Sequence, residues 1–185
     1  MILKILTWPD ERLKKECRTV TEFNDELATD IKNMKETLAD SEGIGLAANQ
    51  VGIDKKICVI HIPYLQPENG KETTDEKKWW HDQEFVFINP KIIKSSGKST
   101  YQEGCLSFPG IFENITRPAR VSIRYQDESG EEKTIEDADG LFATCIQHEC
   151  DHLYGVSFID RMSRLKYMVV KKKLIRLSQN NWEEL

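Results

Sequence analysis

No apolar run in this chain approaches the roughly 20 residues needed to cross a bilayer, so no membrane span is expected. Positive charge is also short. The 26 Lys and Arg stand against 31 Asp and Glu, for a formal net charge of −5. A general DNA binder needs a broadly basic surface, and this balance excludes one. The opening stretch MILKILTWPDERLKK turns charged too soon for a secretory signal and lacks the Arg- and Ser-rich character of a transit peptide. A cytoplasmic protein is therefore expected, with a monomer as the default state. A disulfide framework is missing as well: the cysteines number five and are scattered at 17, 58, 105, 145 and 150. Without a secretory context most should be buried thiols that pack as small hydrophobes, leaving one or more as a candidate metal ligand. No internal repeat, linker or second core interrupts the chain. Its 185 residues fit one catalytic-size domain, 1–185, with a polar loop at about 63–84.

The elements present are short strands followed by helices, which points to an α+β fold. In FNDELATDIKNMKETLADSEG, residues Leu27, Ile31, Met34 and Leu38 form one apolar helical stripe. Asn24 or Asp25 could cap its start, and Gly43 lies past its end. GIGLAANQVGI is dense in glycine and reads as irregular backbone. KKICVIHI and EFVFINP read as buried strands, the second ending at Pro90. Between them, Pro63 to Gln83 is polar and aperiodic; loops of this length tend to be functional or mobile. Its Trp79-Trp80 pair either packs back on the body or forms part of a lid near a cleft. RVSIRYQDESGEEKTIE alternates around a Ser-Gly turn and predicts a hairpin. DADGLFATCIQHECDHLYG predicts a helix capped by Asp137 or Asp139 and stopped by Gly155. RLKYMVVKKKLIRLSQ predicts an amphipathic helix, with Tyr167, Val170, Leu174 and Leu177 on its apolar stripe.

Histidine is scarce, yet two of the four fall in CIQHECDHLYG, four residues apart with Glu149 directly after the first. On a helix that spacing stacks His148 and His152 on one face, about 6 Å apart along the axis. Glu149 is turned by about 100° and flanks a bound ion instead of ligating it. This H-E-x-x-H pattern supplies two imidazole ligands and a general base. Catalytic metal sites commonly use a third protein ligand plus a water. Cys145 shares the histidine stripe, but its seven-residue offset from His152 is about 10.5 Å of helix, too far for one ion. Cys150 faces away, and Cys58 reads as strand core. Cys17 follows a charged stretch, while Cys105 sits in EGCLSFPG, whose Gly and Pro give a tight backbone suited to aiming a side chain. The third ligand should come from another element. A thiolate with two imidazoles would favour Zn or Fe(II).

Three segments taken together, GIGLAANQ (43–50), EGCLS (103–107) and QHECDH (147–152), resemble the three signatures of the peptide deformylase family, in order and without a mismatch. The likeness extends from ILTWPDERL to the C-terminal helix; the 63–83 segment is longer than in many members. The resemblance implies short antiparallel or mixed sheets packed around a central metal helix, with an N-terminal and a C-terminal helix. It implies hydrolytic removal of the formyl group from N-formyl-methionyl nascent peptides, with release of formate. One divalent ion is implied, Fe(II) as native, with Zn, Ni or Co able to substitute. Carried over position by position, the metal ligands become Cys105, His148 and His152, with Glu149 as acid/base. Gln50 and the Leu106 N–H become oxyanion donors. Gly45 matches the backbone that holds the substrate peptide, and Ile44, Tyr101, Leu141 and Cys145 the methionine pocket. Glu103, Arg117 and Asp151 become charges that steady the site.

Two other readings fit the helix alone: a zinc peptidase or amidase built on H-E-x-x-H, and a non-catalytic structural zinc site. Neither needs EGCLS or GIGLAANQ, and a structural site usually closes with four protein ligands. The basic residues Lys171, Lys172, Lys173 and Arg176 either solvate their helix or dock on ribosomal RNA near the peptide exit.

Overall fold

The computed structural model describes residues 1–64 and 79–179. Seven strands and three helices follow one another as α1 (Asp25–Ala39), β1 (Gly45–Ala47), β2 (Ile57–His61), β3 (Glu84–Ser96), β4 (Ser99–Glu103), β5 (Glu113–Arg117), β6 (Arg120–Gln126), β7 (Glu132–Asp139), α2 (Gly140–Leu153) and α3 (Arg164–Gln179). Strands β1-β2-β3-β6-β7 form one antiparallel sheet in that order, and β4-β5 a separate antiparallel pair. This is the expected α+β architecture.

Side chains alternate across a strand, and β2 shows what that does here. Ile57 and Val59 pack with Leu27, Ile31, Met34 and Leu38 of α1. Cys58 and Ile60 pack with Phe142, Ala143, Cys145 and Ile146 of α2. The sheet thus lies between α1 and α2, and ICVI is apolar throughout because both of its faces are covered. Helix α2 is buried almost all round, from Phe142 to Cys150 and again at His152 and Leu153. Its polar residues Thr144, Gln147, His148 and Glu149 are buried along with its apolar ones. A third cluster joins Val170, Leu174 and Leu177 of α3 to Phe158, Phe108, Ile111 and Ile115, beside the β4-β5 pair.

Asn24 caps α1 by accepting the Leu27 N–H at 3.0 Å, Asp139 occupies the N-cap position of α2 without a side-chain capping bond, and Gly155 follows its C-cap at φ +71°. A Cβ on Gly155 would run into the Lys14 carbonyl, so only glycine fits where the N-terminal segment crosses the helix end.

The helix α1 ends at Ala39, with Gly43 past its end as expected. Two expectations need correction. GIGLAANQVGI is not irregular: it forms β1 and then a 3-10 turn, Ala48–Val51. Elements of three and four residues are too short to show a period. Strand β3 does not stop at Pro90 but runs on to Ser96 through a register shift between Ile88 and Lys91. Proline is tolerated in a strand at such a bulge. Asn89, at φ +52°, fills this one by exchanging hydrogen bonds with the Val20 backbone at 2.8 Å.

Trp80 packs back on the body and stacks on Phe142 at 5.6 Å, while Trp79 is half exposed with its edge to the same ring. The lid expected within 63–83 falls largely on residues 65–78, outside the described residues. Among the described residues no helix is long and apolar enough to cross a membrane.

Candidate metal centre

Helix α2 carries His148 and His152 on one face with ring centroids 5.0 Å apart. The turn after β4 brings Cys105 to them, with Cys105 Sγ 3.2 Å from His152 Nε2. Among the described residues, Cys105, His148 and His152 form a group whose ligand atoms all lie within 4.8 Å of one another. Cys145 and Cys150 stay outside it, as the helix arithmetic requires. Cys17, Cys58, Cys145 and Cys150 are all buried thiols in one hydrophobic cluster.

Charge is arranged around the pair of rings. Glu103, at the end of β4, receives Arg117 in a two-pronged bond, Nε to Oε1 at 2.6 Å and Nη2 to Oε2 at 2.9 Å. The same Glu103 Oε2 lies 2.9 Å from His148 Nδ1. Arg117 also reaches Asp151 at 2.7 Å, and Arg161 pairs with Asp151 from outside. Arg117 is only 3% exposed. Burial disfavours the Glu103 charge, but the bonds from Arg117 and His148 outweigh it and hold its carboxyl below the usual range. Burial likewise opposes charge on His148, and its bonds to Cys105 and Glu103 outweigh that and raise it well above the ordinary value. His152 is driven well below by burial and by the like charge of His148. Burial pushes Glu149 up to about 7 against the opposing pull of His148 and Arg117.

Gln50 is buried in the 3-10 turn and fixed at both ends. Its Oε1 accepts the Ala47 N–H at 2.8 Å, which turns Nε2 toward Ser107 Oγ at 3.2 Å and Cys105 Sγ at 3.4 Å. Gly45 lies on β1, at the edge of the five-stranded sheet. A Cβ there would come within 2.8 Å of Cys145 Sγ and closer still to Glu149 Oε1, so the carboxylate occupies space that only glycine leaves free. A cavity of about 460 Å³ opens over this assembly, lined by Ile44, Gly45, Gln50, Tyr101, Glu103, Cys105, Leu106, Leu141, Cys145, His148 and Glu149. Every pocket residue expected from the sequence lines it; Arg117, Asp151 and His152 stand behind.

The donor set suits a divalent ion. One thiol and two imidazoles are ligand types that such an ion would take. Glu149 Oε2 is buried without a hydrogen-bond partner among the described residues.

Several further residues hold the site. Ser107 is fully buried between Gln50 and the N-terminal segment, its carbonyl accepting the Trp8 N–H at 2.9 Å. Leu6 N–H reaches the Gln50 carbonyl at 2.7 Å, so residues 6–8 lace the two loops together. Gln147 ties α2 to the Pro118 carbonyl at 3.0 Å, and Asn49 reaches the His152 carbonyl. Asn49, Ser107 and Gln147 stand inside the three motifs, and Leu6 and Trp8 in the N-terminal stretch of likeness, which was the available hint; their pairings are made only by the fold.

A mixed fold around an H-E-x-x-H helix, with a third ligand delivered by a separate turn and a cavity at its mouth, defines a metal-dependent hydrolase. Comparison with known proteins narrows the class. The family model for polypeptide deformylase matches residues 2–168. A peptide deformylase of Chromobacterium violaceum is 42% identical over 97% of this chain and 98% of its own length. Peptide deformylase 1 of Shewanella oneidensis is 43% identical with the same coverage. The crystal structure of a Legionella pneumophila peptide deformylase superposes with a TM-score of 0.81 at 36% identity, covering 99% of both chains. That of the Ehrlichia chaffeensis enzyme in complex with actinonin does so with 0.81 at 36% identity, over 95% and 96%. The chain belongs to the peptide deformylase family and is a hydrolase of the N-terminal formyl group. The peptidase or amidase alternative is not favoured by these findings.

Proposed function

We propose that this deformylase holds one divalent ion on Cys105, His148 and His152 and works on it with Glu149, Gln50 and the Leu106 N–H. The observation that carries this reading is the convergence of the three ligand atoms beside a buried, unpartnered Glu149 oxygen. When bound, the metal supplies Lewis acidity and lowers the pKa of water toward neutrality. Glu149 takes the proton of the attacking water at its carboxylate and later hands it to the leaving amine nitrogen. The Gln50 Nε2 and the Leu106 N–H donate to the oxygen of the tetrahedral formyl carbon, where charge develops. Glu103 fixes His148 through its Nδ1, Arg117 fixes Glu103, and Asp151 holds Arg117.

The substrate is an N-formyl-methionyl nascent peptide. It lies extended along the free edge of β1, its backbone against Gly45, as strand addition requires. Its methionine side chain enters the cavity among Ile44, Tyr101, Leu141 and Cys145. A formyl carbon carries only hydrogen, so a narrow site there excludes bulkier acyl groups. The single domain spans 1–185 and acts in the cytoplasm as a monomer, with Fe(II) as native ion and Zn, Ni or Co as substitutes. Lys171, Lys172, Lys173 and Arg176 of α3 dock on the ribosome, and charge reversal there should weaken co-sedimentation. Lys173 is not wholly given to solvent, since its Nζ donates to the Gly110 carbonyl at 2.8 Å.

Replacing Gln50 with leucine tests the oxyanion role. Turnover should fall by about 10²–10³ with one equivalent of metal still bound by elemental analysis. Wild-type turnover in that variant would remove Gln50 from the mechanism.

A further inference from the structure

The two histidines are not held alike. His148 has Glu103 on its Nδ1. His152 turns Nε2 toward Cys105, and its Nδ1 is buried without a hydrogen-bond partner among the described residues. Histidine ligands almost always have a partner on the second ring nitrogen that fixes their orientation. His152 has none among the described residues, and it stands in the last turn of α2, where the regular helical bonding of the carbonyls ends.

What holds His152 is its main chain. Asn49 is buried in the 3-10 turn, and its Nδ2 donates to the His152 carbonyl at 2.6 Å and to the Leu13 carbonyl at 3.4 Å. Both partners only accept, so the amide orientation is forced. The opposite oxygen, Oδ1, is left buried and unpartnered among the described residues. The next residue, Gln50, places its Nε2 on Cys105 Sγ. One dipeptide therefore touches both the thiol and the histidine that face each other.

We propose that Asn49 is the positioning residue for His152, doing through the backbone what Glu103 does for His148 through the ring. This rests on the reading that Cys105, His148 and His152 hold the metal. Asn49→Leu removes both the donor and the stranded acceptor in a similar volume, and the His152 carbonyl still accepts the Gly155 N–H at 3.0 Å. Asn49→Asp keeps the shape but turns an acceptor toward two carbonyls.

The test loads wild type and both variants with Co(II). It reads the rate of Co(II) loss to a chelator, the visible d–d bands, and the melting temperature of the metal-free proteins. Both variants should lose Co(II) about 10–100-fold faster with shifted bands, while the metal-free leucine variant melts close to wild type. If the leucine variant does not fold, the isosteric aspartate variant carries the comparison. Wild-type loss rates and bands in the variants, with or without a lower melting temperature, would overturn the positioning role. A wild-type protein that retains no Co(II) would overturn the ligand reading itself, and Asn49 with it.

Discussion

Glu149→Ala should leave metal content at one equivalent and reduce formate release by about 10²–10⁴, the range for a positioned acid/base. The residue is suited to both halves of that task. Burial raises its carboxyl to about 7, where it can accept a proton and give it back near neutrality. Its Oε2 has no hydrogen-bond partner among the described residues, and Gly45 leaves room for Oε1. The alanine variant tests the role without touching a ligand. Near-wild-type formate release with metal bound would place the base elsewhere.

Arg117→Met should lower the unfolding free energy by about 3–5 kcal/mol, the usual effect of removing one partner from a buried ion pair. That is a large part of the roughly 5–15 kcal/mol that holds a domain together. The change leaves Glu103 buried with only His148 beside it, while exposed Arg161 still serves Asp151. Removing both partners, as Arg117→Met with Glu103→Leu, should recover part of the stability in urea unfolding. It should not recover tight metal binding, because His148 then has no partner on Nδ1. Equal stability of wild type and the single variant would mean that water replaces the guanidinium, and that the buried network is not what steadies the site.

The sequence was most legible where chemistry demands fixed spacing. His148, Glu149 and His152 follow from helix geometry alone, and the stripes of α1 and α3 follow from the period of their apolar residues. Cys105 stood out as a candidate by its tight Gly and Pro backbone, but its choice over the other cysteines came from the family resemblance. The buried pair of Arg117 and Glu103 came the same way, since no local pattern joins residues on two different strands. Strand β1 escaped because three residues cannot show a period. The passage of β3 through Pro90 escaped because it depends on Asn89 meeting Val20, 69 residues away in sequence. Asn49 escaped for the same reason, being 103 residues from the carbonyl it holds.

Formate release from formyl-Met-Ala decides whether this chain is a metal-dependent formyl hydrolase. The protein would be prepared anaerobically, stripped, and reloaded separately with Fe(II), Ni(II) and Zn(II). Formate release should disappear on chelation and return with metal, most strongly with Fe(II). Absence of formate with every metal, despite one bound equivalent, would contradict the account and leave the three motifs serving another substrate.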